Sequence, residues 1–300
     1  MNIDNGSRAA IGVLGSANMD LVVRVAAPPR PGETIFGSSF ITVPGGKGLN
    51  QAVAAARAGG RVSFIGTVGT DGYGTALADL MTDEGMDVGQ LRREGITGTA
   101  HITVDAEGQN SIIVVSAANL LTSADQVTDE VLDGLGWLVT QLELDLATVQ
   151  VALARAHAAG VRTVLTPAPA RPLSAELLRT VDLLVPNELE ACMLADRDDP
   201  LEAAQVLSEL CRDVVVTLGG DGAALASGGR ITARIPGRRV EALDTTAAGD
   251  TFVGVLTTLL AEGADLPEAL QVATVAASIS VTRSGATSSM PTRAEIDAAR

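Results

Sequence analysis

The sequence predicts an α/β fold, with a mostly parallel central sheet covered by helices on both faces and a small second sheet. From residue 137 onward, short runs rich in Val, Leu and Ile alternate with longer helical patterns, which is typical of parallel sheets. Hydrophobic residues form 46% of the 300 residues, enough to bury one large core. Strand-like segments near 21–25, 33–43 and 97–104 break this alternation, and we expect them to form a small sheet that projects as a lid.

The first half of the chain contains strand patterns before and between two helix patterns. Strands are expected at residues 11–14, 21–25, 33–43 and 62–65, helices at 48–58 and 72–84, and further strands within 87–115, including 99–104 and 111–115. Gly59, Gly60 and Gly85 follow the two helical patterns, and glycine commonly ends a helix because it adopts positive φ.

The second half alternates more regularly between the two patterns. Strands are expected at 137–142, 162–165, 182–185 and 214–218, helices at 146–159, from 187, from 200, near 248–261 and near 266–282, and a hairpin-like pair over 223–235. Since no internal repeat, low-complexity tract or linker interrupts the sequence, residues 1–300 are expected to form one domain. Its lid would be formed by segments at approximately 20–26, 33–44 and 97–115.

The composition excludes several classes of function. The net charge of −15 argues against nucleic acid or an anionic membrane as a partner, because phosphate-rich surfaces require basic patches. Cys192 and Cys211 are the only cysteines and lack metal-binding spacing, so we expect two buried free thiols in a reducing compartment. Residues 1–10 lack the order of a signal peptide, and no apolar run approaches the ~18 residues of a membrane span. These features predict a cytoplasmic protein.

The most informative motif is Asp244–Phe252, DTTAAGDTF, which leads into a small-residue apolar helix. Small residues at 247–249 let backbone N–H groups crowd together at a helix start, where the helix dipole favours negative charge. The carboxylate of Asp250 would repel a bound phosphate there unless it takes a proton from an attacking hydroxyl. The motif therefore indicates phosphoryl transfer to an alcohol. The alternative is a Thr or Asp cap before an ordinary core helix.

Two earlier segments have the chemistry of a sugar site. The loop at 44–51, PGGKGLNQ, opens a helix; its glycines permit close approach of a ligand, and Asn50 can hydrogen-bond hydroxyl groups. Asn18 and Asp20 are separated by one residue, so in an extended segment both would point to one side and could hold neighbouring hydroxyls. A plain glycine-rich loop and an Asx-turn are the respective alternatives.

Two later segments are compatible with nucleotide binding. Asn187 and Glu190 follow a strand and fit a helix capping box; alternatively, Glu190 helps to hold Mg²⁺ through water. The segment 217–222, TLGGDG, is a glycine turn at a strand end, suited to close approach by a nucleotide.

Taken together and in this order, these segments resemble the PfkB family of carbohydrate kinases over nearly the whole chain. The matching pieces are GSANMD at 15–20, GGKGLNQAVAA at 45–55, QLE at 141–143, PAPA at 167–170, PNE at 186–188, TLG at 217–219, DTTAAGDTF at 244–252 and VTRSGA at 281–286. The resemblance implies the ribokinase-like fold, a mostly parallel central sheet with helices on both faces plus a small β-sheet lid. It also implies ATP-dependent phosphorylation of D-ribose at the 5-hydroxyl.

The resemblance also implies a role for each matching residue. Sugar binding is implied for Asn18, Asp20, Gly46, Lys47, Asn50 and Glu143, with Asp250 as the base that also contacts the sugar. Ala247, Ala248 and Gly249 match the turn that stabilises the transferring phosphoryl group. ATP contacts are implied for Asn187, Thr217, Gly219, Gly220, Gly222, Gly249 and Thr274, and a water-mediated Mg²⁺ contact for Glu190. A monovalent cation, K⁺ by expectation, is implied at Asp244, Thr246, Ser280, Arg283, Gly285 and Ser289, several of them through backbone carbonyls.

Four features depart from the family pattern. Leu49 stands where a smaller residue is more common, His101 occupies a lid position that is usually apolar, and Thr274 replaces a larger polar residue beside the adenine. The segment 116–119, SAAN, lacks the glycine that commonly precedes Ala-Asn. These departures concern the choice of sugar and the affinity for nucleotide rather than the reaction.

Two alternatives to a ribose kinase stay open. One is a family kinase for another acceptor, such as deoxyribose, a ketohexose or a nucleoside, although the 2% content of aromatic residues offers little to stack on a base. The other is a non-catalytic sugar- or nucleotide-binding regulator, against which Asp250, Lys47 and Glu190 argue. An apolar, unpaired face on the lid would favour a homodimer in which two lids cover each other.

Overall fold

The computed structural model describes residues 10–300, so the expectation about a signal peptide concerns residues that lie almost entirely outside the described part. Within that part the strands are β1 Ala10–Leu14, β2 Asn18–Arg24, β3 Ser39–Gly45, β4 Val62–Val68, β5 Asp87–Arg93, β6 Gly98–Val104, β7 Asn110–Val115, β8 Leu135–Thr140, β9 Arg162–Leu165, β10 Leu183–Leu184, β11 Asp213–Thr217, β12 Gly222–Ser227 and β13 Arg230–Pro236. The helices are α1 Lys47–Arg57, α2 Gly72–Asp83, α3 Asp129–Asp133, α4 Leu146–Ala158, α5 Ala175–Leu178, α6 Glu188–Ala195, α7 Pro200–Leu207, α8 Ala248–Ala261, α9 Leu266–Ser280 and α10 Arg293–Ala299.

The central sheet has nine strands in the order β13-β12-β11-β10-β9-β8-β1-β4-β5. The pairs from β11 to β5 are parallel, whereas β12 and β13 form an antiparallel edge. Successive side chains of a strand point to opposite faces: Val214 and Val216 contribute to one apolar core, and Val215 contributes to the other. Both faces are therefore buried, as parallel strands require.

Each face of the central sheet is covered by its own group of helices. Buried residues of α1, α2, α8, α9 and α10 form one core, and those of α3, α4, α5, α6 and α7 form the other. Among residues 10–300, no helix is both long enough and apolar enough to span a bilayer. The predicted layered α/β architecture is confirmed.

The second sheet is small and has the order β3-β2-β6-β7. β2 pairs in parallel with β6, and the two outer pairs are antiparallel. Its edge strands β3 and β7 carry large apolar side chains that are exposed to solvent, including Phe40, 59% exposed, and Ile113, 69% exposed. The predicted small sheet is thus present, while its action as a lid stays a prediction.

The structure corrects the expected strand at 33–43. Regular pairing starts only at Ser39, opposite Arg24, the last residue of β2. Pro28, Pro29 and Pro31 follow β2; because proline lacks an N–H donor, the chain there cannot extend the ladder. Alternation in the sequence up to residue 38 therefore has no partner strand to pair with.

Short helices were harder to predict than long ones. We expected two closing helices, but α10 follows them, with a capping box formed by Thr292 and Glu295. Also missing from the prediction were α3 and α5, whose N-termini are capped by the side chains of Thr128 and Ser174. One further correction concerns the thiols: Cys211 is buried as expected, but Cys192 is only half-buried.

Candidate active site

The functional segments predicted from sequence converge at the carboxyl ends of the parallel strands, where α/β sheets bind ligands. Ser16 and Asn18 follow β1, Glu143 follows β8, and Thr166 follows β9. Asn187 follows β10 and forms an isolated parallel bridge with Thr217 at the end of β11. The N-terminus of α8 lies over the same edge and provides the remaining groups.

The residue that precedes α8 has an unusual backbone conformation. Ala247, the residue before the helix, has φ 57°, in the left-handed region. Its carbonyl accepts hydrogen bonds from the N–H and Oγ1 of Thr251 at 2.8 and 2.9 Å. The N–H groups of Gly249 and Asp250 have no acceptor among residues 10–300. They are therefore available to an anion, as the first-turn N–H groups of a helix are.

Close packing of α8 on α1 places Asp250 against the glycine-rich loop. A Cβ atom on Gly254 would lie 2.5 Å from the Gln51 carbonyl oxygen and 2.6 Å from the Ala54 Cβ, so only glycine allows this approach. One turn later, the hydroxyl proton of Thr258 is shared between the Gly254 carbonyl at 2.9 Å and the Ala55 carbonyl of α1 at 3.2 Å. Asp250, Gly254 and Thr258 are spaced four residues apart and lie on the same face of α8.

Two amide side chains of α1 hold the Asp250 carboxylate. Asn50 Nδ2 donates to Oδ2 and Gln51 Nε2 donates to Oδ1, each at 3.0 Å. Burial raises the pKa of Asp250, and the nearby Lys47 ammonium and the two amide hydrogen bonds oppose this rise. Asn50 is 7% exposed and its Oδ1 has no hydrogen-bond partner among the described residues. That oxygen is suited to accept a hydrogen bond from a ligand hydroxyl.

Lys47 links the charged groups of the site. Its burial lowers the pKa of the ammonium, but the carboxylates of Asp250, Glu143 and Glu190 outweigh that effect and leave the pKa raised. Lys47 therefore stays charged among three carboxylates. We use the name polar cluster for Asp20, Lys47, Asn50, Glu143 and Asp250.

The acidic part of the polar cluster is built by the loops after β1 and β8. Glu143 Oε2 accepts hydrogen bonds from Ser16 Oγ at 2.5 Å and from the Lys47 N–H at 3.0 Å. Burial and then the Glu143 carboxylate raise the pKa of Asp20 to about 7. Asp20 lies against Gly45, where a Cβ atom would collide with its carboxyl group. Gly46 has φ 91°, which favours glycine.

Asn18 is oriented by a residue that the sequence interpretation did not assign. Asn119 Nδ2 donates to Asn18 Oδ1 at 2.7 Å, and Asn119 Oδ1 accepts from the Ala17 N–H at 2.9 Å. Ala117, two residues before Asn119, adopts φ 42°. It lies in the segment 116–119, which lacks the glycine that commonly precedes Ala-Asn. Since the Asn18 oxygen is occupied, its NH₂ group is the part that remains for a ligand.

Two cavities meet at the N-terminus of α8. The smaller, about 230 Å³, is lined by groups that include Lys47, Thr166, Asn187, Glu190 and Asp250. The larger, about 540 Å³, is lined mostly by small residues and backbone. Both include Thr217, Thr245, Ala248 and Gly249 in their walls, so a single ligand could extend from one to the other. Five residues assigned to the sugar line neither cavity: Asn18, Asp20, Gly46, Asn50 and Glu143. Glu143 accepts a hydrogen bond from the N–H of Lys47, and Asn50 donates one to Asp250; both partners line the smaller cavity.

The larger cavity contains most of the residues assigned to the nucleotide. Its walls include Thr217, Gly219, Gly220, Gly222, Gly249 and Thr274, together with the unassigned Arg238, Arg239 and Phe252. Gly222 has φ 97°, and a Cβ atom there would collide with the Ile235 carbonyl oxygen. The arginines follow β13, a segment that contained no motif in the sequence.

Asn187 and Glu190 form the capping box that we gave as one of two interpretations. Asn187 Oδ1 accepts from the Glu190 N–H at 2.8 Å, and Glu190 Oε2 accepts from the Asn187 N–H at 2.9 Å. Both residues nevertheless line the smaller cavity. Glu190 Oε1 accepts no hydrogen bond from residues 10–300, so the structural role leaves one oxygen free.

Of the residues assigned to a monovalent cation, Thr246 and Gly285 are hydrogen-bonded to Asp244 in the loop before α8. Asp244 Oδ1 accepts from the Thr246 N–H at 2.9 Å and Oδ2 accepts from the Gly285 N–H at 2.8 Å. Burial raises the pKa of Asp244, but these hydrogen bonds outweigh it and leave the pKa lowered. Ser280 and Ser289 are buried and donate their hydroxyl protons to helix-turn carbonyls. The guanidinium of Arg283 pairs with Glu295, 2.6 Å away, so only its backbone could face a cation.

Comparison with known proteins shows similarity to carbohydrate kinases over nearly the whole chain. The model of the pfkB family of carbohydrate kinases matches residues 8–293. The chain is 41% identical to a ribokinase of Haemophilus influenzae, over 96% of this chain and 97% of that protein. A crystal structure of ribokinase from Thermotoga maritima aligns with a TM-score of 0.90 at 35% identity, covering 97% and 98% of the two chains. The structure of Arabidopsis thaliana ribokinase complexed with ribose and ATP aligns at 0.88 with 32% identity over 97% and 98%.

Proposed function

Because this chain belongs to the pfkB family of carbohydrate kinases, we propose that it transfers the γ-phosphoryl group of ATP to the 5-hydroxyl of D-ribose. The main support is the Asp250 carboxylate, held by two amide donors at 3.0 Å each and adjacent to unpaired N–H groups at the start of α8. This pairs a proton acceptor with an anion site. Relatives named ribokinase at near-full coverage support ribose as the acceptor.

The polar cluster, together with the neighbouring Asn18, would bind the sugar. Asn18 offers NH₂, Asn50 offers a buried, unpartnered Oδ1, and Asp20 and Glu143 offer carboxylate oxygens. Such a set of donors and acceptors matches the several hydroxyls of a pentose. Lys47 balances the acidic charge of the cluster and, like Gly46, would contact the sugar.

The transfer step requires a base, an acceptor and a site for the developing charge. Asp250 takes the proton of the 5-hydroxyl as that oxygen forms a bond to the γ-phosphorus and the bond to the bridging oxygen of ADP breaks. The N–H groups of Gly249 and Asp250, in the turn that starts at Ala247 and Ala248, stabilise negative charge on the transferred group. In phosphoryl transfer, such positioning and electrostatic stabilisation provide most of the rate acceleration.

ATP would occupy the larger cavity and extend into the smaller one. The glycines at 219, 220 and 222 leave room for close backbone approach, and Thr217 lies in the walls of both cavities. Asn187 borders the smaller cavity, while Thr274 lies in the wall of the larger one. The phosphates then end next to the α8 N-terminus.

A magnesium ion would fit this arrangement with water molecules and ATP phosphates as most of its ligands, and few ligands from the protein. No group of three or more His, Cys, Asp or Glu residues that could hold a metal occurs within residues 10–300. Mg²⁺ commonly keeps several waters and uses one or two carboxylates with substrate phosphates, and Glu190 offers one free oxygen. When bound, the ion would neutralise charge on the phosphates.

A monovalent cation fits the oxygen groups around Asp244. Ser280 and Ser289 have given their protons to carbonyls, so their oxygens present lone pairs only. Together with carbonyls near Thr246, Arg283 and Gly285, this is the hard-oxygen chemistry that alkali cations select. Such a cation, K⁺ by our proposal, would act indirectly by fixing the loop before the α8 turn.

The exposed small sheet supports a homodimer. Ile112, Ile113, Val114 and Val115 of the edge strand β7 are all at least 47% exposed, and exposed apolar edges invite pairing. We propose that two copies cover each other through this sheet; a monomer in sedimentation at micromolar concentration would contradict this. A cytoplasmic location stays a prediction from the sequence.

The proposed function is tested by coupled ADP release across pentoses, hexoses and nucleosides, repeated in K⁺ and in Na⁺. Ribose should give the highest kcat/KM, with a higher rate in K⁺ than in Na⁺. Higher kcat/KM with deoxyribose or a ketohexose would select another acceptor. Ribose binding without ADP release would indicate a regulator and overturn the proposal.

A further inference from the structure

Two buried glutamines form a hydrogen-bonded chain that ends on the Asp250 carboxylate. Gln141 Nε2 donates to Gln51 Oε1 at 2.6 Å, and Gln51 Nε2 donates to Asp250 Oδ1 at 3.0 Å. Gln141 is 0% and Gln51 1% exposed, and neither residue lines either of the two cavities at the α8 N-terminus. They therefore reach the base without facing the space available to substrates.

Both hydrogen bonds that link the chain are donated in the direction of Asp250. An amide has a donor end and an acceptor end of similar size, so a chain of amides can run in either direction. The far end, Gln141 Oε1, is buried without a hydrogen-bond partner among the described residues and lies against Gly15. No donor at that end fixes the direction, so the negative charge of Asp250 is what selects it. The second proton of the Gln51 amide goes to Thr166 Oγ1 at 3.3 Å.

We propose that Gln51 and Gln141 are positioning residues for Asp250: Gln141 fixes the amide of Gln51, which holds Oδ1 while Asn50 holds Oδ2. With one donor on each oxygen, the plane of the carboxylate is set and each oxygen keeps one lone pair. This inference rests on the proposed role of Asp250 as the base.

Electrostatics supports the same arrangement. Burial raises the pKa of Asp250, and hydrogen bonds to the ionised form favour that form, so the amides act against burial. Lys47 and Glu143 are the other charged groups that act on Asp250, with opposite signs. Removing the Gln51 donor while leaving both charges in place should therefore raise the pKa of the base further.

The test uses Gln51→Met, Gln141→Met and the double variant, which keep bulk but remove the donors. For Gln51→Met we expect the acid limb of the kcat–pH profile to move up by about one pH unit, since hydrogen bonds to charged groups are strong. At neutral pH kcat should fall about tenfold, with KM for the sugar changing less than about threefold. Gln141→Met should shift the limb in the same direction by less. The double variant should match Gln51→Met, because the two residues act in series.

Gln126 provides a matched control. It is 2% exposed, and its Nε2 donates to the carbonyls of Gly66 and Gln90, each at 2.9 Å. Gln126→Met should lower the unfolding temperature without moving the acid limb. An acid limb in Gln51→Met no further displaced than in Gln126→Met would overturn the inference, as would additive effects in the double variant.

A second readout separates this inference from the proposed function. In protein labelled with ¹³C at the aspartate carboxyls, the Asp250 signal is identified by its loss in Asp250→Asn, and its titration midpoint is followed by NMR. The midpoint should rise in Gln51→Met; an unchanged midpoint overturns positioning even if ribose is phosphorylated. Wild type that phosphorylates no sugar overturns the proposed function, and the midpoint then decides positioning alone. Should Gln51→Met fail to fold, Gln141→Met serves in both measurements.

Discussion

The polar cluster and the larger cavity lie on either side of the α8 N-terminus and are formed in different ways. In the cluster, side chains from distant segments hold one another, as in the contact of Asn50 and Gln51 with Asp250. In the larger cavity, glycines and short side chains leave space for a ligand. Position 222 requires glycine because its φ is positive and a Cβ atom there would collide with the Ile235 carbonyl. Function on one side should thus depend on side-chain atoms, and on the other side on the course of the backbone.

This difference predicts opposite responses to small changes of chemistry and of size. In the polar cluster, replacing a single side-chain atom should strongly reduce activity. In the larger cavity, adding a single methyl group to the backbone should reduce stability and weaken ATP binding.

Asp250→Asn should reduce kcat by roughly 10²–10⁴, the usual contribution of a general base. The fold should be retained, because asparagine has the same shape and burial already disfavours the charge of Asp250. Steady-state ADP release and thermal unfolding measure the two effects. Asp133→Asn, at an exposed position at the end of α3, is the control. More than about a tenth of wild-type activity in Asp250→Asn would rule out the proposed role.

Gly222→Ala should destabilise the protein by about 2–3 kcal/mol, since strained backbone alone costs roughly 1–3 kcal/mol and the added methyl group meets the Ile235 carbonyl. KM for ATP should rise as β12 and β13 shift. Gly220→Ala is the matched control: a Cβ atom at this cavity-lining position meets no atom within 4 Å. Denaturant unfolding should separate the two variants, and equal stabilities would contradict the backbone argument.

Asp20→Asn should gain about 2–3 kcal/mol of stability relative to wild type between pH 5 and pH 8. Burial and Glu143 raise the pKa of Asp20 to about 7, so the folded state holds a proton that the unfolded chain releases near pH 4. Wild type therefore loses this contribution progressively as pH rises from about 4 to about 7, whereas asparagine does not titrate. The difference in Tm should be small at pH 5 and larger at pH 8. A Tm difference between Asp20→Asn and wild type that is the same at pH 5 and at pH 8 would contradict the assignment.

Thr274→Val should have the smallest effect, with KM for ATP changing less than about threefold. The Thr274 hydroxyl donates within α9 to the Leu270 carbonyl at 2.8 Å, so its proton is not available to the nucleotide. Thr82→Val removes the same type of hydrogen bond, at 2.9 Å to the Ala78 carbonyl, at a position that lines neither cavity. A tenfold rise in KM for Thr274→Val alone would mean that this side also depends on a side-chain contact.

The same contrast explains how far the sequence predicts the site. Local patterns predicted roles for Asp250, Asn50 and the glycine turn at 217–222, because their chemistry depends on neighbours in sequence; these roles stay predictions. Gln141 and Asn119 were not assigned a role, since their contacts join residues 90 and 101 positions apart. No periodicity in a single sequence encodes such pairings.

The fold shows a parallel limit. Long buried helices and strands were predicted because burial imposes a period on many residues. The strand expected at 33–43 begins only at Ser39, because β2 ends opposite it at Arg24. Alternation within 33–38 does not reveal that these residues lack a partner strand. The capping box of Thr292 and Glu295 was visible in the sequence but was not used.

The most direct test of the account is the structure of the product formed by wild type from ATP and ribose. ³¹P and ¹H NMR should find phosphate on the 5-oxygen, with one ADP released per phosphosugar and little ADP without sugar. That result would follow from Asp250 taking the proton of the primary hydroxyl beside the α8 N-terminus. Phosphate on the anomeric oxygen, or ADP release that does not depend on sugar, would contradict it.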